Sequence, residues 1–226
     1  MNVKTGAIIV AAGSSQRMGQ VDKIFASISR KPLLYHTLSA FAKCSSVDSI
    51  VLVLSEHNLK RGRSLVKRYG FSEVAQICEG GPRRQDSVKL GLDHLANCDF
   101  ILIHDGARPL ITPSLIDEAI TTAKEHGTSV AAVPVKNTIK VADDGGFVVK
   151  TLERENLWDV QTPQVFKYDI IAQAYSKVSE NVTDDAALVE RTGKSIKLYM
   201  GSYDNIKVTT VEDIHLARLI LSNRGK

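Results

Sequence analysis

The segment Ala7-Ile-Ile-Val-Ala-Ala-Gly-Ser-Ser-Gln-Arg-Met-Gly-Gln-Val-Asp-Lys23 decides how the rest of the chain is read. Ile8, Ile9 and Val10 form an apolar run that reads as a buried strand. The run breaks into Ala11, Ala12, Gly13, Ser14 and Ser15 and then meets Arg17 and Lys23. Small residues let a backbone approach a ligand closely, and successive free N–H groups in such a turn make an anion-binding concavity. Two following cations suit an anion of several charges, such as a triphosphate. The plain alternative is an ordinary strand-to-loop turn with two solvated cations. The segment has only Gly13 and Gly19, so the three-glycine dinucleotide fingerprint is missing, and Gly19 is followed by Gln20 and Val21 rather than by the Lys and Ser or Thr of a P-loop.

With 226 residues the chain is read as one domain, 1–226, long enough for a substantial core. No apolar run approaches the roughly 20 residues a bilayer span needs, and the N-terminus lacks a signal-peptide pattern. Cys44, Cys78 and Cys98 are odd in number and form no C-x-x-C pair, which suits a reducing cytoplasm. A net charge of +4 without a dense basic run gives no nucleic-acid footprint.

Candidate strands at 7–11, 49–54, 74–77, 100–104, 130–135 and 196–200 alternate with helical stretches near 32–42, 58–69, 84–95 and 114–125. Thr112 with Pro113 marks a helix start, and Thr210-x-x-Asp213 resembles a capping box opening a final amphipathic helix. This alternation predicts an α/β fold: an open, mostly parallel twisted sheet with helices on both faces. Ligands in such sheets bind beyond the carboxyl ends of the strands, which aligns the loops after Val10, Ile77 and His104 along one rim. Residues 138–141 and 147–152, around Asp143-Asp144-Gly145-Gly146, read as a hairpin. Either it is an edge hairpin on its own domain or it is an arm reaching another subunit.

The rim loops carry the chemistry. In EGGPRRQDSV, Gly80 and Gly81 permit close backbone approach, Pro82 has no N–H, Arg83 and Arg84 add charge and Ser87 a hydroxyl. An ordinary glycine turn with exposed arginines is the alternative. In HDGARP, Asp105 at a strand end followed by Gly106 is placed to hold a metal-bound phosphate or a substrate hydroxyl, or else to cap its loop or pair with Arg108. His104 reads as a packed strand-end residue, Trp158 as a packing anchor, and Lys207 as a charge at a strand end before the last helix.

Together AAGSSQRMG…K, EGGPRRQDSV, HDGARP, PVKNTIK, LWDVQTPQVF, TDDAALVE and DNIKVTT resemble, in order and spacing, the 2-C-methyl-D-erythritol 4-phosphate cytidylyltransferase family over nearly the whole chain. The resemblance implies a Rossmann-like nucleotidyltransferase that joins CTP to methylerythritol phosphate in non-mevalonate isoprenoid synthesis. It would release pyrophosphate and use a divalent metal, normally Mg2+. By position, Arg17 and Lys23 match the pair that stabilises the transition state at the α-phosphate. Val10 to Ser15, Gly81, Pro82, Arg84, Ser87 and Gly106 match the nucleotide loops. Asp105, Arg108, Thr138, Arg154 and Lys207 match the acceptor site, with Arg154 and Lys207 orienting the acceptor phosphate and Asp105 also a metal ligand beside CTP phosphates that hold most of the metal. The family's homodimers cross hairpin arms, which makes 136–158 an arm and gives Arg154 to the neighbouring site. The related ribitol-5-phosphate cytidylyltransferases share the nucleotide loops, and a regulator that binds nucleotide without catalysis is a further alternative. Three positions depart from the family pattern: Val10 and Asp22 stand where Pro is common, and Pro82 where Asp is usual. Pro82 cannot contact a base through an N–H, which moves cytosine selection towards Ser87 and backbone carbonyls.

Overall fold

The computed structural model describes residues 3–13, 22–178 and 180–224. Its centre is β1 (Thr5–Ala11), whose residues are buried almost throughout. Residues 7, 9 and 11 point to one side and Ile8 to the other, as the two-residue period of a strand requires. A strand covered on both faces has no polar side to show, which is why Ile8, Ile9 and Val10 read as a continuous apolar run.

Parallel strands flank β1 on both sides. β2 (Ser27–Ile28) and β3 (Lys31–Pro32) make a separate small hairpin. β4 (Ser49–Leu54) and β6 (Phe100–Asp105) flank β1, and β5 (Val74–Glu79) extends the sheet beyond β4. Beyond β6 come β10 (Trp158–Lys167), β7 (Thr128–Pro134) and β11 (Leu198–Met200), giving the seven-stranded order β11-β7-β10-β6-β1-β4-β5. Only β10 runs antiparallel to its neighbours.

On one face, α1 (Leu33–Ala42), α2 (Leu59–Tyr69) and α4 (Pro113–His126) bury Leu34, Leu38, Phe41, Leu65, Ile116 and Ile120 against Ala7 and Ile9. On the other, α3 (Arg84–Leu92), α5 (Tyr168–Lys177) and α6 (Asp185–Glu190) bury Val88, Leu92, Ile171 and Leu188 against Ile8 and Ile101. At roughly 25 cal/mol per Å2 of apolar surface, these two layers dominate the folding free energy. A smaller cluster of Ile28, Leu33, Leu110, Val208 and Ile214 seats α7 (Val211–Arg224). Thr112 caps α4 with Pro113 in its first turn. The expected capping box at the last helix is present, because the Asp213 carboxylate accepts from the Thr210 N–H while the Asp213 N–H donates to Thr210 Oγ1.

The sequence reading missed β10, α5 and α6. Pro163 falls inside β10 and cannot donate to a ladder, so the segment does not read as an interior strand. The structure accommodates it at a register shift between Val160 and Gln164 against β7. Because β10 is antiparallel, its first residues lie at the same rim as the last residues of β1 and β6. Lys207 was expected at a strand end; it instead lies in the irregular stretch between β11 and α7, anchored where the Val208 N–H donates to the Ala107 carbonyl at 2.8 Å.

The expected hairpin forms from β8 (Lys140–Ala142) and β9 (Val148–Thr151), apart from the main sheet. Asp143 Oδ1 accepts from the N–H groups of Gly145 and Phe147, and Gly146 takes a φ of 81° that favours glycine. Phe147, Val148 and Val149 are 75%, 61% and 67% exposed, an unusual apolar display for a two-stranded ribbon.

Candidate active site

Two cavities open side by side on the rim. The first, about 360 Å3, is lined by Val10 to Gly13 at the end of β1, by Gly81 to Arg84 and Ser87 before and within α3, by Lys23 and Ile24, and by Asp105, Ala107 and Lys207. The second, about 370 Å3, is lined by Arg108, by Trp158 to Thr162 and Gln164 of β10, by Thr183 and Asp184, and by Arg84, Asp105 and Lys207. Arg84, Asp105 and Lys207 therefore form the wall that both cavities share.

Register explains the meeting of these loops. Val10 pairs with Asp105 across β1 and β6, and with Val53 across β1 and β4. The Gly106 N–H continues this ladder to the Val10 carbonyl, and a Cβ at Gly106 would lie 2.8 Å from that of Ala11. Gly106 thus closes the β6 turn onto β1 instead of lining either cavity. Gly80 is as tightly placed: a Cβ there would lie 2.4 Å from that of Ala12. Among the described residues, nothing lies within 4 Å of a Cβ at Gly13.

Asp105 is the hub of the shared wall. Its Oδ1 accepts from Arg84 Nε at 3.1 Å, and its Oδ2 lies 2.8 Å from Lys207 Nζ and 3.6 Å from Arg108 Nε. Burial opposes its charge, but Arg84, Lys207 and Arg108 outweigh burial and hold the carboxyl below the usual carboxylate range. Arg84 is held in turn by Asp185, whose Oδ2 accepts from Arg84 Nη1 at 2.6 Å, while Asp185 Oδ1 accepts from the Tyr175 hydroxyl at 2.6 Å. Burial disfavours the Arg84 charge, and the two carboxylates reverse that and raise its pKa. The shared wall itself carries two cations, Arg84 and Lys207, against one carboxylate, Asp105, so it turns a cationic surface to both cavities.

Behind the wall, the fully buried His104 is neutral, as expected of a packed residue: burial pushes its pKa down to about 3. The Thr162 hydroxyl accepts the Asp105 N–H at 3.0 Å and so gives its own hydrogen to His104 Nδ1, 3.1 Å away. That leaves the imidazole proton on Nε2, facing the Arg108 carbonyl at 3.3 Å. Asn205 ties the same region together, its side-chain amide N–H donating to the Thr162 carbonyl and its main-chain carbonyl accepting from Arg108 Nη1.

Among the expected nucleotide residues, Val10, Ala11, Ala12, Gly13, Lys23, Gly81, Pro82, Arg84 and Ser87 come together in the first cavity. Ser14, Ser15 and Arg17 lie outside the described residues. Ser87 Oγ faces the carbonyls of Arg83 and Gly81 at 3.2 and 3.4 Å. Arg83, at the cavity edge, makes a two-point contact with Asp86, its partner in the capping box of α3. The Asp22 carboxylate accepts from the Asn58 amide and lies 3.7 Å from His57 Nε2. Among the acceptor residues, Asp105, Arg108 and Lys207 gather in the second cavity. Thr138 and Arg154 do not line it: Thr138 is exposed before the hairpin, and Arg154 donates to the Lys136 carbonyl at 2.8 Å at the hairpin's base.

Trp158 was read as a packing anchor, but it is 38% exposed and lines the second cavity. Asp159, Gln161, Thr162, Gln164, Asp184 and Asp185 were missed. The available signal was Thr183-Asp-Asp before an apolar run, where Asp184 caps α6 by accepting from the Ala187 N–H at 2.9 Å.

Asp105 was also read as a metal ligand. Both its oxygens are engaged by cations, and among the described residues no group of three or more His, Cys, Asp or Glu gathers to hold an ion. These side chains build no metal site of their own.

The model of the family described as 2-C-methyl-D-erythritol 4-phosphate cytidylyltransferase (IspD) matches residues 5–223. The chain belongs to this family. It is therefore a nucleotidyltransferase of the Rossmann-like α/β class. A Dehalococcoides mccartyi protein named 2-C-methyl-D-erythritol 4-phosphate cytidylyltransferase is 54% identical over 98% of this chain and 97% of its own. One of the same name from Alkaliphilus oremlandii is 44% identical over 98% and 96%. The crystal structure of a 4-diphosphocytidyl-2C-methyl-D-erythritol synthase from Anaerococcus prevotii superposes with a TM-score of 0.86 at 30% identity, covering 97% of this chain and 96% of that one. These family matches do not favour the ribitol-5-phosphate alternative.

Proposed function

We propose that this cytidylyltransferase joins CTP and 2-C-methyl-D-erythritol 4-phosphate by in-line attack of the acceptor phosphate on the α-phosphate, releasing pyrophosphate. The product is 4-diphosphocytidyl-2-C-methyl-D-erythritol. The observation that carries this reading is the pair of cavities sharing a cationic wall: two anions that repel each other need a common positive surface to meet. CTP takes the cavity of the small-residue turn, and the acceptor takes the one floored by β10.

A phosphate monoester is largely dianionic at neutral pH, its second pKa being about 6, so the nucleophile needs no general base. The site agrees: His104 is neutral and committed to Thr162 and Arg108, and Asp105 is paired. Lys23 acts on the α-phosphate together with Arg17. Lys207 and Arg108 orient the acceptor phosphate, and Asp105 fixes these two cations while offering its carboxylate edge to acceptor hydroxyls. Ser87 and the nearby carbonyls read the cytosine, since Pro82 has no N–H to give. A divalent metal such as Mg2+ would be held mainly by the nucleotide phosphates and would neutralise part of their charge.

The exposed Phe147, Val148 and Val149 are the dimer-forming surface of the arm, residues 136–158, and Thr138 and Arg154 serve the partner's acceptor site. That explains why neither lines the cavities of its own chain. Among the described residues no helix is long and apolar enough to cross a membrane, which agrees with a cytoplasmic enzyme.

Pyrophosphate release tests this reading, with CTP and the other nucleoside triphosphates against methylerythritol phosphate and ribitol 5-phosphate. Methylerythritol phosphate with CTP should be the fastest pair; faster turnover with ribitol 5-phosphate would overturn the acceptor assignment.

A further inference from the structure

The short 3-10 turn Lys23–Phe25 has a second cavity behind it. Lys23 and Ile24 line the nucleotide cavity, whereas Phe25 lines a separate hollow of about 320 Å3 bounded by Pro32 and α2. Its walls divide in two. Phe25, Pro32, Leu65 and Tyr69 supply apolar and aromatic surface; Lys60, Arg61, Ser64 and Arg68 supply cations and a hydroxyl.

The cations are numerous, and among the described residues none has a carboxylate partner. α2 reads Leu-Lys-Arg-Gly-Arg-Ser-Leu-Val-Lys-Arg-Tyr, five basic residues and no acidic one. Like charges three and four apart destabilise a helix. Among the described residues no carboxylate forms an ion pair with Lys31, Lys60, Arg61 or Arg68. Lys31, Arg61 and Arg68 rest on aromatic faces instead. The Arg61 guanidinium lies 4.1 Å from the Phe25 ring centre, Lys31 Nζ 4.4 Å from that of Tyr69, and the Arg68 guanidinium 5.5 Å from that of Tyr69.

We propose that this hollow is a second ligand site, distinct from the active site, for a small molecule with a phosphate or diphosphate head and a short apolar body. The head meets Lys60, Arg61 and Arg68, and arginine suits planar two-point contact with phosphate oxygens. The body lies on Phe25, Pro32 and Tyr69. An anion that draws Arg61 off the Phe25 ring acts on the turn that begins with Lys23. The Asp22 carboxylate, bonded to Asn58 immediately before α2, ties the other end of that turn to the same helix. Occupancy is thereby coupled to the position of Lys23, and the coupling is reciprocal. The binding claim stands without the proposed reaction; only the coupling rests on the role given to Lys23.

The probe is pentyl diphosphate, titrated calorimetrically into the full-length protein saturated with 4-diphosphocytidyl-2-C-methyl-D-erythritol, so that both cavities of the active site are filled. One molecule should bind per chain. The double variant Arg61→Ala/Arg68→Ala should weaken it at least tenfold while CTP affinity stays within twofold, and inorganic pyrophosphate should bind at least tenfold more weakly than the alkyl ligand. Competition with CTP, unchanged affinity in the double variant, or equal binding of pyrophosphate would each overturn the site. So would sedimentation with phosphatidylglycerol vesicles under conditions where pentyl diphosphate does not bind. Pentyl diphosphate should also change turnover at saturating substrates at least twofold in the wild type and not in the double variant. Binding without any change in turnover would overturn the coupling, leaving the site intact.

Discussion

Lys207 Nζ stands 2.8 Å from Asp105 Oδ2, on the wall between the two cavities. In the proposed reaction the pair would hold a cation where the attacking phosphate arrives, without leaving Asp105 as an uncompensated buried charge. Lys207→Ala should lower kcat/KM for the acceptor on the order of 100-fold, the scale of losing one charge-stabilising contact. Steady-state kinetics should show a far smaller change in KM for CTP. An effect confined to CTP would contradict the placement.

The buried Asp185 should matter to stability as well as to rate. It accepts from both Arg84 and Tyr175, so Asp185→Asn weakens two short bonds and removes the charge opposite Arg84. Urea denaturation should show a loss of about 1–3 kcal/mol. Tyr175→Phe should cost about 1 kcal/mol, because the Arg84 contact survives. A neutral Asp185→Asn would mean the chain Tyr175–Asp185–Arg84 does not brace the wall.

His104 gives the fold a pH dependence of defined sign. Its ordinary pKa is 6.5 and its folded pKa is about 3, so the unfolded chain binds the extra proton first. The contribution of neutral His104 is complete above pH 6.5 and is lost as pH falls towards 3. Its slope approaches about 1.4 kcal/mol per pH unit within that window. In His104→Gln, whose amide can still reach the Arg108 carbonyl, stability between pH 6 and 4 should fall less steeply by nearly that amount. Equal slopes in denaturant melts of the two proteins would show that His104 titrates normally.

Subunit complementation tests the crossed arm. Lys23→Ala and Arg154→Ala should each be nearly inactive alone. Mixed and allowed to exchange, they should recover up to about a quarter of wild-type activity, since one of the two sites in each heterodimer is intact and half the dimers are mixed. No recovery after subunit exchange confirmed by mass spectrometry would confine Arg154 to a structural role at the hairpin's base.

The parts of this site that could be read from sequence are those written locally. Ala11 to Gly13, Gly80-Gly81 and Asp105 each stand at or just past the end of a parallel strand, and parallel strands deliver their ends to one rim, so these loops meet by topology alone. Lys207 could be named only by resemblance, because a lysine between an edge strand and a helix has no local mark. Trp158 to Gln164 escaped because Pro163 and the mixed polar pattern hide an interior strand, and only its antiparallel direction brings Gln161 and Thr162 to the rim. Asp185 escaped for another reason. Its partners Arg84 and Tyr175 lie on two other helices, and a carboxylate beside a helix cap looks the same in sequence whether or not it braces an arginine.

The central claim is that the two cavities divide the substrates. Arg108 lines only the second cavity. Calorimetric binding of methylerythritol phosphate to Arg108→Gln, in the presence of α,β-methylene-CTP to prevent reaction, is the most direct test. The division predicts at least a tenfold loss of acceptor affinity with nucleotide affinity within twofold of wild type. Weakened nucleotide binding with the acceptor unaffected would contradict it.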